Sequence, residues 1–280
     1  MAAAARRGTW RTHGISVEGY RHRREGLPCQ DAWHEASAGP ANARVTVLAV
    51  ADGAGSRPYS DQGSKLAVRL ATAYYTDRVA AAPPLGDRRG NLAESARAVH
   101  RLLADTFHEV RDEFLDRTRG DGSGRPDDYA TTLTVVVLAP DWLGTVGVGD
   151  GFVILRAGSE DGKPQFHLLP QPAPASEYSN ETVFLTSPEA PDWIHTACVR
   201  DADVDGVFLS TDGLAQAALS SAGNPRQEPN ASFATAVFRS LDNPGPDPEE
   251  DNAALANLLR SDRLTALNAD DKTLLRAVRR

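Results

Sequence analysis

The sequence predicts an α+β fold in which antiparallel sheets pack together and helices lie outside them. Short apolar or β-branched runs follow one another without the strand–helix alternation of a parallel sheet. The helical patterns come as one early pair and one C-terminal group. No repeat with a period of 20–50 residues and no clear boundary divides the chain, so residues 1–280 are expected to form a single domain, long enough to bury a substantial core.

The elements read in order as follows. Residues 8–17 suggest a strand, and the polar residues 18–30 lead to Asp31. Residues 45–51 (VTVLAVA) form a buried strand stopped by Asp52-Gly53. A first helix shows Leu66, Leu70, Ala73 and Tyr74 on one face and should end before Pro83-Pro84. A second shows Val99, Leu102, Leu103, Phe107, Val110 and Phe114, and the polar residues 120–128 follow as a loop. Residues 131–138 are β-branched throughout. Residues 142–148 and 152–156 resemble a hairpin turning at Gly149-Asp150-Gly151. Further strands are expected at 166–169, 182–185 and 206–210, with a Pro-rich loop at 170–174. Helices at 233–241 and near 252–259 flank the Pro/Gly/Asp run 243–250, and a last strand covers 273–278.

Composition excludes several classes. Apolar residues make up 41% and charged residues 24%, as in ordinary water-soluble domains. The net charge of −8 opposes general nucleic-acid binding, which needs a basic surface. Cys29 and Cys198 provide neither a disulfide framework nor a cysteine zinc site. No apolar run of signal-peptide length follows Arg6-Arg7, and none approaches a membrane span, so a cytoplasmic protein without a membrane partner is expected.

The informative residues are aspartates at strand ends. Asp52, Asp150 and Asp212 each close a predicted strand and each precede glycine; Asp270 and Asp271 open the last strand, and Asp31 precedes the first strong one. Hard divalent cations take oxygen ligands, several of them carboxylates. Carboxylates at neighbouring strand ends can meet at one point, and an adjacent glycine leaves a carbonyl accessible. A lone Asp-Gly is usually a turn, which is the reading given to Asp121-Gly122, Asp161-Gly162 and Asp205-Gly206.

Six segments stand in a telling order: Gln30-Asp31-Ala32, Val50 to Ser56 (VADGAGS), Ala130-Thr131-Thr132-Leu133, Val148-Gly149-Asp150-Gly151, Leu209 to Leu214 (LSTDGL), and Asp270-Asp271-Lys272-Thr273. Together they resemble the motif series of the PPM-type (PP2C-like) metal-dependent protein serine/threonine phosphatases, and residues 19–31 resemble its bacterial branch. The resemblance implies two stacked antiparallel sheets with helices on both outer faces. It also implies two Mn²⁺ or Mg²⁺ ions and a third, looser one. Asp52 would bridge the pair, the Gly53 carbonyl would bind one ion, and Asp212 and Asp270 the other. Asp150 would hold the third ion with Asp212, and Asp31 would position water. Thr131 and Thr132 would support the strand beneath. The implied reaction is hydrolysis of phosphoserine and phosphothreonine esters by hydroxide shared between cations about 3.5–4 Å apart. The implied partners are a phosphoprotein substrate and a cognate Ser/Thr kinase acting in opposition.

Two departures stand out. The family often has histidine where this chain has Ala54, and a phosphate-binding arginine where it has Gly26. His22 is the first candidate to replace them, as acid or phosphate binder, ahead of Arg21, Arg23, Arg24 and Arg57. Neither cysteine lies in a Cys-x5-Arg phosphate loop, which opposes a cysteine nucleophile. The departures feed one alternative, a weak or inactive pseudophosphatase acting as a binding module; a calcium-binding or structural β protein is another.

Overall fold

Alternation along the strands sorts the apolar residues of this chain into three layers. In the computed structural model, residues 9–81, 92–120, 122, 124–170, 182–220 and 227–280 are described. One sheet runs in the order β1 (Trp10–Val17), β12 (Lys272–Arg279), β9 (Val204–Ser210), β6 (Phe152–Glu160), β7 (Lys163–Leu168). The other runs β2 (Ala32–Ala38), β3 (Val45–Ala51), β4 (Leu133–Leu138), β5 (Leu143–Val148), β8 (His195–Val199). All neighbours are antiparallel, and β10 (Leu219–Ser220) with β11 (Glu228–Pro229) forms a separate small ribbon.

On β3, Leu48 and Val50 face the space between the sheets, where they meet Val136, Leu155, Val207, Leu209 and Leu275. The alternate residues Val47, Ala49 and Ala51 face outward onto α2 (Ser60–Ala81) and α3 (Leu92–Gly120). Beyond the other sheet, Phe152, Phe208 and Leu274 pack against α4 (Ala215–Ala218), α5 (Ala231–Asp242), α6 (Pro248–Leu259) and α7 (Asp262–Leu267). The result is helices, sheet, sheet, helices, as the resemblance implied. Arg276 is buried on β12 and donates to the Val237 carbonyl and to Ser240 Oγ at 2.7 Å, which ties α5 to its sheet.

Several expectations are corrected. The strands around Gly149-Asp150-Gly151 are not a hairpin: β5 belongs to one sheet and β6 to the other, so this segment crosses the sandwich. Residues 182–185 form no strand; Leu185 N instead donates to Thr131 O at 2.7 Å. The polar segment before Asp31 contains a short helix, α1 (Tyr20–Glu25), and strands β2 and β8 went unread. On α2 the expected face holds at Leu70, which is buried, and at Leu66 and Tyr74, which pack partly buried against the core, but the core-facing stripe is wider and excludes Ala73. Ala67, Val68, Ala71 and Tyr75 are buried while Ala73 is exposed, because small residues let the backbone approach the sheet. At its start, a Cβ on Gly63 would lie 2.1 Å from Tyr129 O. Asp205-Gly206 is not a turn but part of β9, where Asp205 accepts from Arg156 Nε at 2.6 Å. Asp161-Gly162 is the expected turn, with φ of 51° and 74°. Pro83-Pro84, Asp121 and residues 171–174 lie outside the described residues.

Candidate active site

Strand ends bring the aspartates together. Asp52 follows β3, Asp212 follows β9 by one residue, Asp150 follows β5, Asp270 precedes β12, and Asp31 immediately precedes β2. Backbone hydrogen bonds fix the turn after β3. Thr132 Oγ1 accepts from Asp52 N at 3.0 Å, while Thr132 N and Thr131 Oγ1 donate to Asp52 O at 2.8 and 2.9 Å. Both threonines thus hold the strand end, as their position suggested. Gly53 is required here: a Cβ would lie 2.6 Å from Ser60 O and 2.7 Å from Gln30 O.

Asp31 is buried, 4% exposed. Its Oδ2 accepts from Thr211 Oγ1 at 2.7 Å, and Thr211 in turn accepts from Thr273 N at 3.2 Å. Its Oδ1 has no hydrogen-bond partner within the protein. Burial pushes the Asp31 carboxyl up to about 7. Burial also raises Asp52, with further contributions from Asp31, Asp212 and Asp270. Asp212 is pushed up to about 6, first by burial and then by Asp150 and Asp270. Asp150 is exposed and accepts from Thr182 Oγ1 at 2.9 Å. The five aspartates therefore form one electrostatic group assembled from positions 31 to 270.

These donors are hard oxygens crowded by like charge, which a divalent cation would relieve. The unpartnered Asp31 Oδ1 and the raised Asp52 carboxyl fit that chemistry. Among the described residues, no three His, Cys, Asp or Glu groups stand ready-arranged to hold a metal ion.

His22 sits on the inner side of α1. It is 6% exposed, and its Nδ1 lies 2.8 Å from Asp271 Oδ1. The same Oδ1 accepts from Gly19 N at 2.6 Å, and Oδ2 accepts from Gln30 N at 2.7 Å. Lys272, also buried, donates from Nζ to Asn268 O and Asp270 O at 2.7 Å each. Asp271, Thr211 and Lys272 lie in segments the sequence marks, but their supporting roles are not legible there. The Asp-Asp doublet ahead of a strand was the available signal, because alternation gives neighbours opposite surroundings. Arg21, Arg23, Arg24 and Arg57 are all exposed. Ala54 N donates to Ala130 O at 2.9 Å, and its methyl supplies no acid.

A helix–sheet–sheet–helix sandwich with aspartates at several strand ends is the arrangement that the resemblance to metal-dependent phosphatases implied. A model of the protein phosphatase 2C family matches residues 18–260, and the chain belongs to that family. It is 29% identical over 276 residues to serine/threonine-protein phosphatase 3 of Escherichia coli (strain K12), covering 96% of this chain and 98% of that protein. The fold is similar to the serine-threonine phosphatase 2C from Toxoplasma gondii, with a TM-score of 0.65 at 13% identity, covering 97% and 95% of the two chains. It is also similar to the serine/threonine phosphatase of S. agalactiae, with a TM-score of 0.61 at 14% identity, covering 97% and 100%. The protein is a metal-dependent serine/threonine protein phosphatase.

Proposed function

We propose that phosphoserine and phosphothreonine esters of proteins are hydrolysed at the aspartate cluster with two Mn²⁺ or Mg²⁺ ions and a third, looser one. The observation that carries this is the placement of Asp31, Asp52, Asp212 and Asp270 at strand ends, with Thr211, next to Asp212, holding the Asp31 carboxylate across 180 residues. Asp52 and the Gly53 carbonyl, with Asp212 and Asp270, would hold the pair; Asp150 with Asp212 would hold the third. Bound there, such cations supply a nucleophilic water near neutral pH and neutralise phosphoryl oxygens. Asp31 would serve as proton acceptor, since Thr211 holds its Oδ2 and leaves Oδ1 without a partner in the protein. Asp271 and Lys272 fix the backbone that presents Asp270. His22 acts through Asp271, as a positioning residue rather than as acid or phosphate binder.

The substrates are phosphoproteins made by a Ser/Thr kinase that this enzyme opposes. Two free cysteines support a reducing cytoplasmic setting. No described helix is long and apolar enough to cross a membrane. Contacts of β12 with β9 and with β3 support one catalytic domain over residues 1–280. The test is phosphate release from a phosphothreonine peptide with Mn²⁺, with Mg²⁺ and with chelator, alongside Mn²⁺ titration followed by electron paramagnetic resonance. Asp52→Asn and Asp212→Asn should each weaken Mn²⁺ binding and abolish turnover. Full Mn²⁺ stoichiometry in the double variant would refute the assignment.

A further inference from the structure

The segment carrying Asp270 is bordered by a short arginine-rich helix in a chain of net negative charge. Helix α1 carries Arg21, Arg23 and Arg24, all exposed, while the whole chain has a net charge of −8. The helix is fastened at several points. Asp271 receives Gly19 N, His22 Nδ1 and Gln30 N; Tyr20 N donates to Ala269 O at 2.8 Å; and Leu27 N donates to His22 O at 2.9 Å. Gly26 closes it in the left-handed conformation at φ 69°. Its anchors are thus the segment that presents Asp270 and the segment that presents Asp31.

Nearby acids are already engaged elsewhere. Glu18 pairs with Arg260 at 2.8 Å, and Glu25 faces Arg21 at 3.5 Å. Among the described residues, Arg23 and Arg24 make no ion pair. Arg23 N donates to Gly19 O at 3.0 Å, and Gly19 N donates to Asp271, so the turn carrying Arg23 stands against the segment that leads from Asp270 into β12. Large apolar side chains are exposed alongside: Tyr20 at 50% and Leu27 at 42% flank the arginines, and Leu267 at 41% lies two residues before Ala269. An exposed arginine is ordinarily solvated and energetically neutral. Here two arginines without an ion pair stand on a helix whose backbone is fastened to the segment carrying Asp270, with an exposed aromatic and exposed leucines nearby in the chain, which is the make-up of a peptide-docking surface.

We propose that α1 and the end of α7 dock an acidic segment of the substrate protein flanking the phosphorylated residue, with Arg23 and Arg24 contacting its carboxylates. The proposal rests on phosphoester hydrolysis at the aspartate cluster. It identifies a substrate class: phosphoserine or phosphothreonine sites with acidic neighbours.

The test uses the full-length chain with Mn²⁺ and three substrates: a phosphothreonine peptide with acidic flanks, the same peptide with neutral flanks, and p-nitrophenyl phosphate. The wild-type enzyme should favour the acidic peptide by about tenfold in kcat/KM, expressed in KM. About 0.5 M salt should remove the preference, since the screening length falls to about 4 Å. Arg23→Glu/Arg24→Glu should remove it as well, and Arg23→Lys/Arg24→Lys should restore most of it. No preference in the wild type, or one retained after charge reversal, overturns the proposal. So does an equal fall on all three substrates, which would place the arginines on the phosphate itself. Failure of the wild type to hydrolyse any of the three would remove the reading of the site, and the docking surface with it.

Discussion

Asp270 and Asp271 stand side by side, yet the start of β12 gives them opposite surroundings. Asp270 is exposed and acts on Asp52 and Asp212, whereas Asp271 is 3% exposed and takes three donors. Asp271→Ala strands those donors and should destabilise the fold by about 3–5 kcal/mol, measured by urea unfolding. Asp271→Asn keeps an acceptor and should lose less. Asp52 is predicted to behave in the opposite sense, since burial, and then the nearby Asp31, Asp212 and Asp270, disfavour its ionised form. Asp52→Asn should stabilise the metal-free protein, on the order of 1 kcal/mol, while lowering turnover at least about 100-fold. Unchanged metal-free stability would argue against like-charge crowding there. Asp31, Asp52, Asp150, Asp212 and Asp270 were legible because each sits at a strand end. The partnership of His22 with Asp271 was not, because 249 residues separate them and neither local pattern points to the other.

Elements were legible where one face repeats. In α3, Val99, Leu103, Phe107, Val110 and Phe114 are buried as their spacing predicted. Strands β2 and β8 escaped notice because AWHEASA and HTACV are half-buried edge strands with no apolar run. The crossing between β5 and β6 was misread because a Gly-Asp-Gly turn looks the same whether the chain returns to its own sheet or changes sheet. What distinguishes it is Gly149, at φ 97°, where a Cβ would lie 2.5 Å from Thr132 Cγ2. Gly149→Ala should therefore cost about 2 kcal/mol of stability. It should also lower activity, since the crossing carries Asp150 and Thr132 braces Asp52. Thermal unfolding and peptide turnover would show both losses; a variant as stable as wild type would mean that the crossing has slack.

On the scale of the whole molecule, the acidic cluster makes folding, pH and cation binding a single linked equilibrium. In the folded chain Asp31 is pushed up to about 7 and Asp212 up to about 6, above an unfolded value of about 3.9. Between those values the native state binds more protons than the unfolded state, so stability falls as pH rises and levels off above about pH 7. Buried histidines act in the opposite direction: His13, His34 and His195 are lowered by burial, so their contribution rises with pH and saturates near 6.5. The decline above that point belongs to the carboxylates. The metal-free protein should thus be less stable at pH 8 than at pH 6.5, and millimolar Mn²⁺ should reverse the order by binding the ionised form. Asp31→Asn should flatten the metal-free slope, because it removes one of the carboxyls that burial pushes toward neutrality. Thermal unfolding across pH 5–8, with and without Mn²⁺, reads all three effects. A metal-free protein that gains stability between pH 6.5 and 8 would mean that the aspartates do not share one charge field, and the linked equilibrium would fail with them.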